Sequence, residues 1–533
     1  MDSLTPEIID LILIQLEFPR FLFSDGPSSF RPGYIFPWVC PMPEDLAPYA
    51  RISKKWRDAV ERRVFSTIKT HSNDFARFKQ IINASQRQRH VQKLFYEIDL
   101  PRRTKMKQWM VETKEEHESN LRMFRLKFLH LWRELSAWKQ HAPGGLTLRL
   151  RVDTPMDCRV DAYGEFAGIK RMRWLYPEHT LTLHDPSQAG PSLPEVSCVT
   201  TLSLATDGRR IHPTTIGEIL LTVPRLRKLE LCIDPVKRRH KSLRAEMRNS
   251  LAKVLEAPTL QHLECLLVDI NEPPPLNHSY RTSSQEDPDY PAGDHLSRAI
   301  CALAQTSLKQ LYFTGLISPV FFGADPSNPL HEERQFQHLE TLQVEFGLNT
   351  YDGRWYYTGD LPGAEEAVDV DESSDSGSDP EPGYPPTEDE EIDQAREDLR
   401  DGRAPDNQWR TAPDPRLFNP LIRALVDATF RMPKLKAIQA LTTRADISEH
   451  GVNISYVEPG CRTRFVELQW RGEEQYLDTR RWVVRRGKEV EWTVPEDIRM
   501  LMQKRVREDG RIVFMKMIPR REQNWDDFLE EST

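Results

Sequence analysis

The sequence predicts an α/β protein in which helix–strand units repeat along the chain and their strands form a parallel sheet. Two observations predict the repeat: strands of the pattern L-x-x-L-x-L recur, and an amphipathic helix precedes most of them. A third, the change to period-two alternation after Leu441, predicts a small antiparallel β module with one helix at the carboxyl end. Because each unit leaves one apolar face open until the next unit stacks on it, we expect an irregular α/β solenoid over residues 69–441.

Three short helices are predicted at the amino end, in residues 1–68. Thr5 can cap the first of them, which begins at Pro6, where the missing amide proton of proline costs nothing. Apolar side chains surround most of this helix, so a single neighbouring helix cannot cover them all. After an insertion rich in aromatic residues and proline over residues 17–45, helical spacing resumes, and Ser53 can cap a further helix.

We mark each repeated strand by the first leucine of its stretch. The clearest copies are VPRLRKLELCID, APTLQHLECLLVDI and TSLKQLYFTGL, each after a helical stretch, and FQHLETLQVEF and MPKLKAIQAL continue the series. The earlier stretches VQKLFYEIDLP, LTLRLRV and TTLSL fit the same alternation. Intervals of 34, 48, 31 and 96 residues separate the marker leucines, so the period is irregular. The marker leucines are Leu226, Leu260, Leu308, Leu339 and Leu435.

The longest interval contains a strongly acidic segment. Between Asp360 and Asp401 there are 17 acidic and two basic residues, a local charge of −15 against a total of −8, which leaves about +7 on the rest of the chain. The segment is of low complexity and is broken by prolines, so we expect a disordered insertion over residues 360–410. The 533 residues as a whole, 38% hydrophobic and 29% charged, suffice for about three or four domains or one extended repeat structure.

The cysteines and the apolar runs bear on the compartment. The seven cysteines are an odd number, are widely spaced and contain no C-x-x-C pair. Cys232 and Cys265 fall inside strand-like runs, where a thiol usually serves as a small apolar side chain. No apolar run approaches the length of a membrane span, and the amino end is acidic. We therefore expect a cytoplasmic or nuclear protein with no membrane partner, no structural disulfide and no zinc.

The predicted carboxyl-terminal module covers residues 442–520. Four stretches alternate at period two, NISYVEP, RFVELQW, RRWVVRRG and EVEWTVP, and they precede a helix in EDIRMLMQKRVRE and a last strand in RIVFMKMIP. The strand spacing of Trp470, Trp482 and Trp492 favours a place in the core of this module over stacking on a ligand.

Two blocks at the amino end carry a resemblance to a known family. They read L-T-P-E-I-I-x-x-I from Leu4 to Ile12 and L-A-P-Y-A-x-I-S-x-x-W from Leu46 to Trp56, followed by VERRVF. Together they resemble the F-box of fungal F-box proteins, although the aromatic insertion between them departs from the shorter family pattern. VQKLFYEIDLP, F-R-L-K-F-L-H-L-W-x-E-L-x-x-W and W-V-V-R-R-G resemble the rest of such proteins, a degenerate leucine-rich-repeat-like solenoid with a β-rich carboxyl end.

The resemblance implies a function for the amino-terminal helices. An F-box is a three-helix unit that binds a Skp-type adaptor, and docking on that adaptor would account for a first helix that is apolar all round. The chain would then be a non-enzymatic substrate receptor that recruits an unknown target protein to a cullin ubiquitin ligase, without a cofactor. The expected adaptor-binding residues are Leu4, Pro6, Glu7, Ile8, Leu11, Ile12, Leu46, Tyr49, Ile52 and Trp56.

Two other functions stay open. The first is a solenoid interaction scaffold without a role in a ubiquitin ligase, in which the helical end only caps the repeat stack. The second is an enzyme in the carboxyl-terminal module, although the sequence contains none of the motifs G-x-x-x-x-G-K-[ST], G-x-G-x-x-G, H-E-x-x-H and G-x-S-x-G.

Three weaker candidates complete the sequence reading. His179 and His184, five residues apart, are expected to be surface histidines and not a zinc pair. The basic cluster from Val236 to Arg244 can serve in nuclear import or touch nucleic acid, but a solvated loop and helix start is expected more strongly, so nucleic acid is not an expected partner. Ser373 and Ser376 have acidic neighbours that suit phosphorylation by acidophilic kinases.

Overall fold

In the computed structural model, the chain forms a mixed α/β structure around one long sheet of twelve strands, most of them parallel. The strands lie in the sheet in the order in which they occur in the chain, and a separate pair of short strands is antiparallel. The α/β class and the parallel strands are therefore confirmed. The structure describes residues 4–17, 46–83, 85–101, 112–138, 142, 144–153, 179–183, 193–205, 209–238, 240–270, 272, 274–280, 293–324, 334–360, 398–399, 401–404, 407–443, 447–462 and 473–517.

The strands and helices have the following bounds. The strands of the large sheet are β1 Thr67–His71, β2 Lys93–Asp99, β3 Leu146–Asp153, β4 Val199–Ala205, β5 Lys228–Ile233, β6 Cys265–Ile270, β7 Gln310–Gly315, β8 Thr341–Phe346, β11 Ala437–Thr442, β12 Val452–Val457, β13 Arg481–Arg486 and β14 Arg511–Lys516. The short antiparallel pair is β9 Tyr357–Thr358 and β10 Ala412–Pro413. The helices are α1 Pro6–Glu17, α2 Lys54–Val64, α3 Phe75–Ile82, α4 Ser85–Gln88, α5 Lys114–Ser136, α6 Pro213–Leu221, α7 Lys241–Leu255, α8 His295–Ala304, α9 Pro415–Phe430, α10 Ile447–His450 and α11 Glu496–Val506.

Alternation along the strands divides the middle of the sheet into two faces. In β5, Leu229 and Leu231 are fully buried in the main core, whereas Glu230 and Cys232, which alternate with them, are only half-buried. The same alternation holds in β6 and β7. The helices α6, α7 and α8 pack side by side in chain order and contribute buried residues to that core. One face of the sheet is thus filled by apolar side chains, and the other carries polar and mixed side chains.

Four of the five marker leucines occupy equivalent places, two residues ahead of their strands, whereas Leu260 lies five residues ahead of β6 and the buried Leu263 takes the equivalent place. All five are at most 3% exposed, and each lies just ahead of its strand. In four of them the backbone N–H donates to the carbonyl three residues earlier, which forms the same tight turn in each unit. Between β7 and β8, a short 3₁₀ turn at Pro319–Phe322 stands where the other units have a helix, and its Phe321 and Phe322 are buried. That replacement accounts for one of the short intervals in the repeat.

A row of alternating charges crosses the sheet at the residue just before β5, β6, β7, β8 and β11 and at the residue just after β12. The backbone N–H at each of these positions donates to the carbonyl of the equivalent residue in the preceding unit, at 2.7–2.8 Å. Glu264 lies between Arg227, at 3.6 Å, and Lys309, at 2.8 Å, and Glu340 pairs with Lys436 at 2.7 Å. A unit displaced by one place along the sheet would set like charges side by side. The row consists of Arg227, Glu264, Lys309, Glu340, Lys436 and Glu458.

The carboxyl-terminal strands differ from the expected separate antiparallel module. β12, β13 and β14 continue the large sheet from β11, and only β12 is antiparallel to its neighbours. β13 and β14 are parallel because α11 connects them as a crossover, whereas a short connection from β11 forces β12 to reverse. The stretch predicted as the strand EVEWTVP forms none, although its Trp492 packs edge-on against Phe418 at 5.2 Å. RFVELQW lies outside the described residues.

The acidic insertion is shorter than the expected range of 360–410. Asp401 is 4% exposed, and its carbonyl accepts a hydrogen bond from Arg238 at 3.0 Å. Arg410 donates through Nη1 to the Tyr357 carbonyl and through Nε to the His278 carbonyl. The expectation of disorder is therefore wrong for residues 401–404 and 407–410, because local backbone and guanidinium hydrogen bonds attach them to the repeat. Residues 361–397 lie outside the described residues.

Reversing one charge of the row should weaken the stack. Glu264→Lys places three cations next to one another, and we expect the free energy of unfolding to fall by about 0.5–1 kcal/mol at low salt and by less at high salt. Urea denaturation of the full chain measures the loss. Glu264→Gln, which removes the attraction without adding repulsion, is the matched control and should lose less. Equal losses in the two variants at low salt would contradict a role for the alternating signs.

Removing residues 361–397 should leave the fold intact. The segment has few apolar side chains to bury and a charge that opposes compaction, so a flexible linker of about ten residues should replace it with little change in thermal midpoint. A second deletion that extends through Arg410 removes the hydrogen bonds to Arg238 and His278 and should lower the midpoint by several degrees. Differential scanning calorimetry compares the two, and a large loss in the shorter deletion would refute the prediction.

Candidate functional site

The amino-terminal helices form a unit with a hydrophobic core of its own. α1, a 3₁₀ turn at Ala47–Arg51 and α2 surround a cluster that is separate from the core of the sheet among the described residues. Local signals in the sequence start these helices as expected. The Ser53 side chain accepts a hydrogen bond from the Trp56 N–H at 3.5 Å, and the Ile9 N–H donates to the Thr5 carbonyl at the start of α1. The buried members of the cluster are Ile9, Leu13, Leu46, Trp56, Ala59 and Val60.

α1 has one buried and one exposed apolar face. Ile9 and Leu13, one turn apart, are fully buried in the small core. Ile8, Leu11 and Ile12 share the other face and are 43%, 55% and 36% exposed. On the turn before α2, the side chain of Ile52 is also 40% exposed. A helix with its apolar side chains spread all round is thus only half covered by its own unit.

Polar contacts hold α1 in a fixed position on α2. The Asp10 carboxylate pairs with Arg62 at 2.9 Å, and the Asp10 carbonyl accepts from Arg63 Nη1 at 3.0 Å. At the start of α1, hydrogen bonds with its own backbone and with Thr5 lower the pKa of the exposed Glu7 carboxyl. The negative charge therefore stays at the positive end of the helix, as the sequence predicts.

The structure divides the ten expected adaptor-binding residues into three groups, exposed, buried and half-buried. Six of them are exposed to solvent: Pro6, Glu7, Ile8, Leu11, Ile12 and Ile52. Leu46 and Trp56 are only 2% and 5% exposed, so they have no area to offer a partner and instead support the surface from beneath. Leu4 and Tyr49 are half-buried against the same core, and the Tyr49 ring stacks on Trp56 at 6.1 Å between centroids.

The exposed residues form the candidate docking surface, which we define as Ile8, Leu11, Ile12 and Ile52. Three of them recur on one helix at the spacing i, i+3, i+4, which is the pattern of a helix that lies in a partner's hydrophobic groove. Large apolar side chains gathered on one element mark binding surfaces more often than single exposed ones do. The arrangement can bind an apolar protein surface, and its rigid seat on α2 means that little ordering is required on binding.

In β2, β3, β5, β6 and β7, the sheet face that turns away from the main core is only partly covered by the described residues and forms a second surface. Strand register places Phe95 beside Arg149, and Leu267 beside Tyr312, with Glu230 next to Leu267. All five side chains are half-buried, in contrast to the fully buried leucines that alternate with them. Aromatic and arginine side chains on an extended, rigid sheet are the residue types that most often contribute binding energy in protein interfaces.

A cavity of about 70 Å³ lies at the carboxyl ends of β5, β6, β7 and β8. Its wall includes Ile233, Ile270 and Leu316 together with charged residues of α7. Those charges are paired: Arg248 contacts Asp294 at 2.7 Å, and Arg244 contacts the Glu272 carboxylate. A space of that size is well below that of a cofactor or drug-sized ligand, so it can hold only a small group.

Sequence reasoning missed a buried polar cluster around Glu112. His179, expected at the surface, is only 10% exposed and lies 3.1 Å from a Glu112 carboxylate oxygen. His117 faces the same oxygen at 3.6 Å, and Arg209 Nη1 donates to the other at 2.6 Å. Burial alone would raise the pKa of Glu112, but the two imidazoles and the guanidinium outweigh it and hold that pKa well below its ordinary value. His184 lies outside the described residues.

The remaining sequence candidates have different outcomes. α7 begins at Lys241 within the basic cluster, so the helix start is confirmed, but Arg238 and Arg244 are engaged with Asp401 and Glu272 and are not a solvated loop. Trp482 and Trp492 are buried in the core, as expected. Trp470, Ser373 and Ser376 lie outside the described residues, so their assignments stay predictions.

No family model matches the chain, and no curated protein matches it either. Among the helices of the described residues, none is both long enough and apolar enough to cross a membrane.

The two faces of α1 should respond differently to truncation. Ile9→Ala and Leu13→Ala each leave a cavity in the small core and should destabilise the helical unit by about 2–5 kcal/mol. Leu11→Ala, a leucine truncated on the same helix, should change stability by no more than about 0.5 kcal/mol because its side chain is already in water. Hydrogen exchange of the amides in α1 and α2 reads the local stability. Equal protection in the Leu11 and Leu13 variants would refute the division of the faces.

Proposed function

We propose that this chain is a non-enzymatic F-box substrate receptor, in which the candidate docking surface binds a Skp-type adaptor and the solenoid holds a target protein for a cullin ubiquitin ligase. The observation that carries the proposal is the half-covered first helix. Ile9 and Leu13 fill a separate core, while Ile8, Leu11 and Ile12 expose a contiguous set of large apolar side chains. Exposing that much apolar area is unfavourable unless a partner covers it.

The separation of the two cores supports the same proposal. A helical end that only capped the repeat stack would share its apolar side chains with the first strand. Instead, among the described residues the small cluster of the helical unit is distinct from the main core, although Phe65 at the end of α2 packs against that core. An ion pair between Arg87 of α4 and Glu61 of α2, at 3.2 Å, also joins the unit to the repeat. A unit with a core of its own and an exposed apolar helix face suits an adaptor better than a cap.

The open sheet face is the proposed target-binding surface. It is leucine-rich-repeat-like in that parallel strands in chain order carry buried leucines on one face and varied side chains on the other. The half-buried Phe95, Arg149 and Tyr312 supply aromatic and cationic contacts. Placing adaptor and target on different elements lets one chain bind both, and ubiquitin chemistry then belongs to the partners. We place this receptor in the cytoplasm or nucleus, where such ligases act.

The alternative is a solenoid scaffold that binds proteins through the sheet face without a ubiquitin ligase. It explains the open face equally well but leaves the exposed isoleucines and leucine of α1 without a partner. An adaptor-binding measurement separates the two functions.

Charge on the docking surface should abolish adaptor binding. Ile8→Asp combined with Ile12→Asp buries two uncompensated carboxylates at an apolar interface, which costs several kcal/mol, so co-purification with a Skp-type adaptor should fall to background. Leu221→Asp is the matched control, because Leu221 is 61% exposed at the end of α6 and outside the helical unit. The control variant should bind the adaptor as the wild type does.

The result counts only when the variants are folded, which circular dichroism and an unchanged thermal midpoint establish. A folded double variant that binds the adaptor as tightly as the wild type refutes the docking surface. A wild-type chain that fails to bind the adaptor refutes the receptor and leaves the scaffold. Reduced binding by the Leu221 control would show that added negative charge, and not the docking surface, is responsible.

A further inference from the structure

The cluster around Glu112 combines two histidines and a carboxylate from distant parts of the chain. Glu112 directly precedes Thr113, the residue that caps α5, and His117 lies in the first turns of that helix. His179 comes from the connection between β3 and β4, more than 60 residues away. The side chains are 1%, 12% and 10% exposed, so the cluster is almost closed to solvent.

The donor atoms converge on one point. Oε2 of Glu112 is 3.1 Å from Nδ1 of His179 and 3.6 Å from Nδ1 of His117, and the three ligand atoms all lie within 4.8 Å of one another. A tetrahedral ion with bonds of about 2.0–2.2 Å holds neighbouring ligand atoms about 3.3–3.6 Å apart. The two carboxylate–imidazole distances, 3.1 and 3.6 Å, are therefore close to those around a bound metal ion.

The second carboxylate oxygen is held by other groups. Oε1 accepts hydrogen bonds from Arg209 Nη1 and Asn120 Nδ2, which fix the orientation of the carboxylate and leave Oε2 toward the imidazoles. Metal-binding carboxylates and histidines are usually supported in this way by outer partners. Among the described residues, the buried Nδ1 of His117 has no hydrogen-bond partner within 3.5 Å, and its nearest carboxylate oxygen is Oε2 of Glu112 at 3.6 Å. An ion at the shared point would supply that partner.

We propose that Glu112, His117 and His179 bind one divalent transition-metal ion, and that zinc fits this donor set best. Two imidazoles and a carboxylate are borderline ligands that suit zinc, and they leave one tetrahedral position for water or another ligand. The ion would fasten the β3–β4 connection to the amino end of α5, beside Arg209 from the segment after β4. This site is independent of the proposed adaptor surface.

Two features set limits on the affinity. The rings of His117 and His179 are stacked, with 4.1 Å between their centroids and 7° between their planes. Their Nδ1 lone pairs therefore lie in nearly parallel planes, and one ring must tilt before both can point at an ion. The positive charge of Arg209 also opposes a second cation nearby. Binding should therefore be weaker than in a preformed structural zinc site.

Cobalt binding to the full chain tests the site directly. After removal of metal with a chelator, titration with Co²⁺ should give one ion per chain with visible absorption bands of a nitrogen–oxygen site, and Zn²⁺ should displace it. His117→Gln and His179→Gln keep a polar side chain toward Glu112 and should each weaken binding by about tenfold or more. His262→Gln, at an exposed histidine outside the cluster, is the matched control and should bind as the wild type does.

The outcomes separate a metal site from a hydrogen-bonded cluster. A wild-type chain that binds no stoichiometric ion, or glutamine variants that bind as tightly as the wild type, overturns the proposal. If both variants fail to fold, X-ray absorption of the zinc-loaded wild type decides the question. Two imidazole ligands with oxygen and no sulfur support the site, and any sulfur ligand, or a single imidazole, overturns it.

Discussion

The pairing of each strand with the one before it in the chain is the constraint on which the rest of the structure depends. A parallel strand has two backbone edges to satisfy and one apolar face to bury, and the neighbouring units supply what each unit lacks. The buried marker leucines anchor each unit in the main core. The row of alternating charges from Arg227 to Glu458 favours the observed order of neighbouring units. The same requirement carries the sheet through β12, β13 and β14, because β11 would otherwise end in an unpaired edge.

The amino-terminal helices escape that constraint because they have a core of their own. Ile9 and Leu13 complete it, and nothing in the described residues covers the other face of α1. The strands of the sheet find their hydrogen-bond and packing partners within the sheet, whereas one apolar face of α1 does not. That difference is the physical basis of the proposed receptor. The helical unit would face the ligase through its adaptor, and the rigid open face of the sheet would face the target.

The buried cluster around Glu112 has a place in the same architecture. In the described part of the β3–β4 connection, Leu181 forms an isolated parallel bridge with Ile211. Glu112, Arg209 and the two histidines hold part of it against α5 through buried charge. A metal ion at that point would strengthen this attachment to α5.

The sequence by itself determined the α/β class, the helix–strand repeat and the start of α2 at Ser53, since spacing and caps are local properties. Only the tertiary structure decided that Trp56 lies beneath the docking surface and not on it, that β14 joins the large sheet, and that residues near Arg410 pack against the repeat. The tertiary structure also brings the side chains of Glu112 and His179 into contact. The physical reason is range: periodicity shows which face of an element is apolar, but contacts between residues more than 60 positions apart depend on how all the elements pack together.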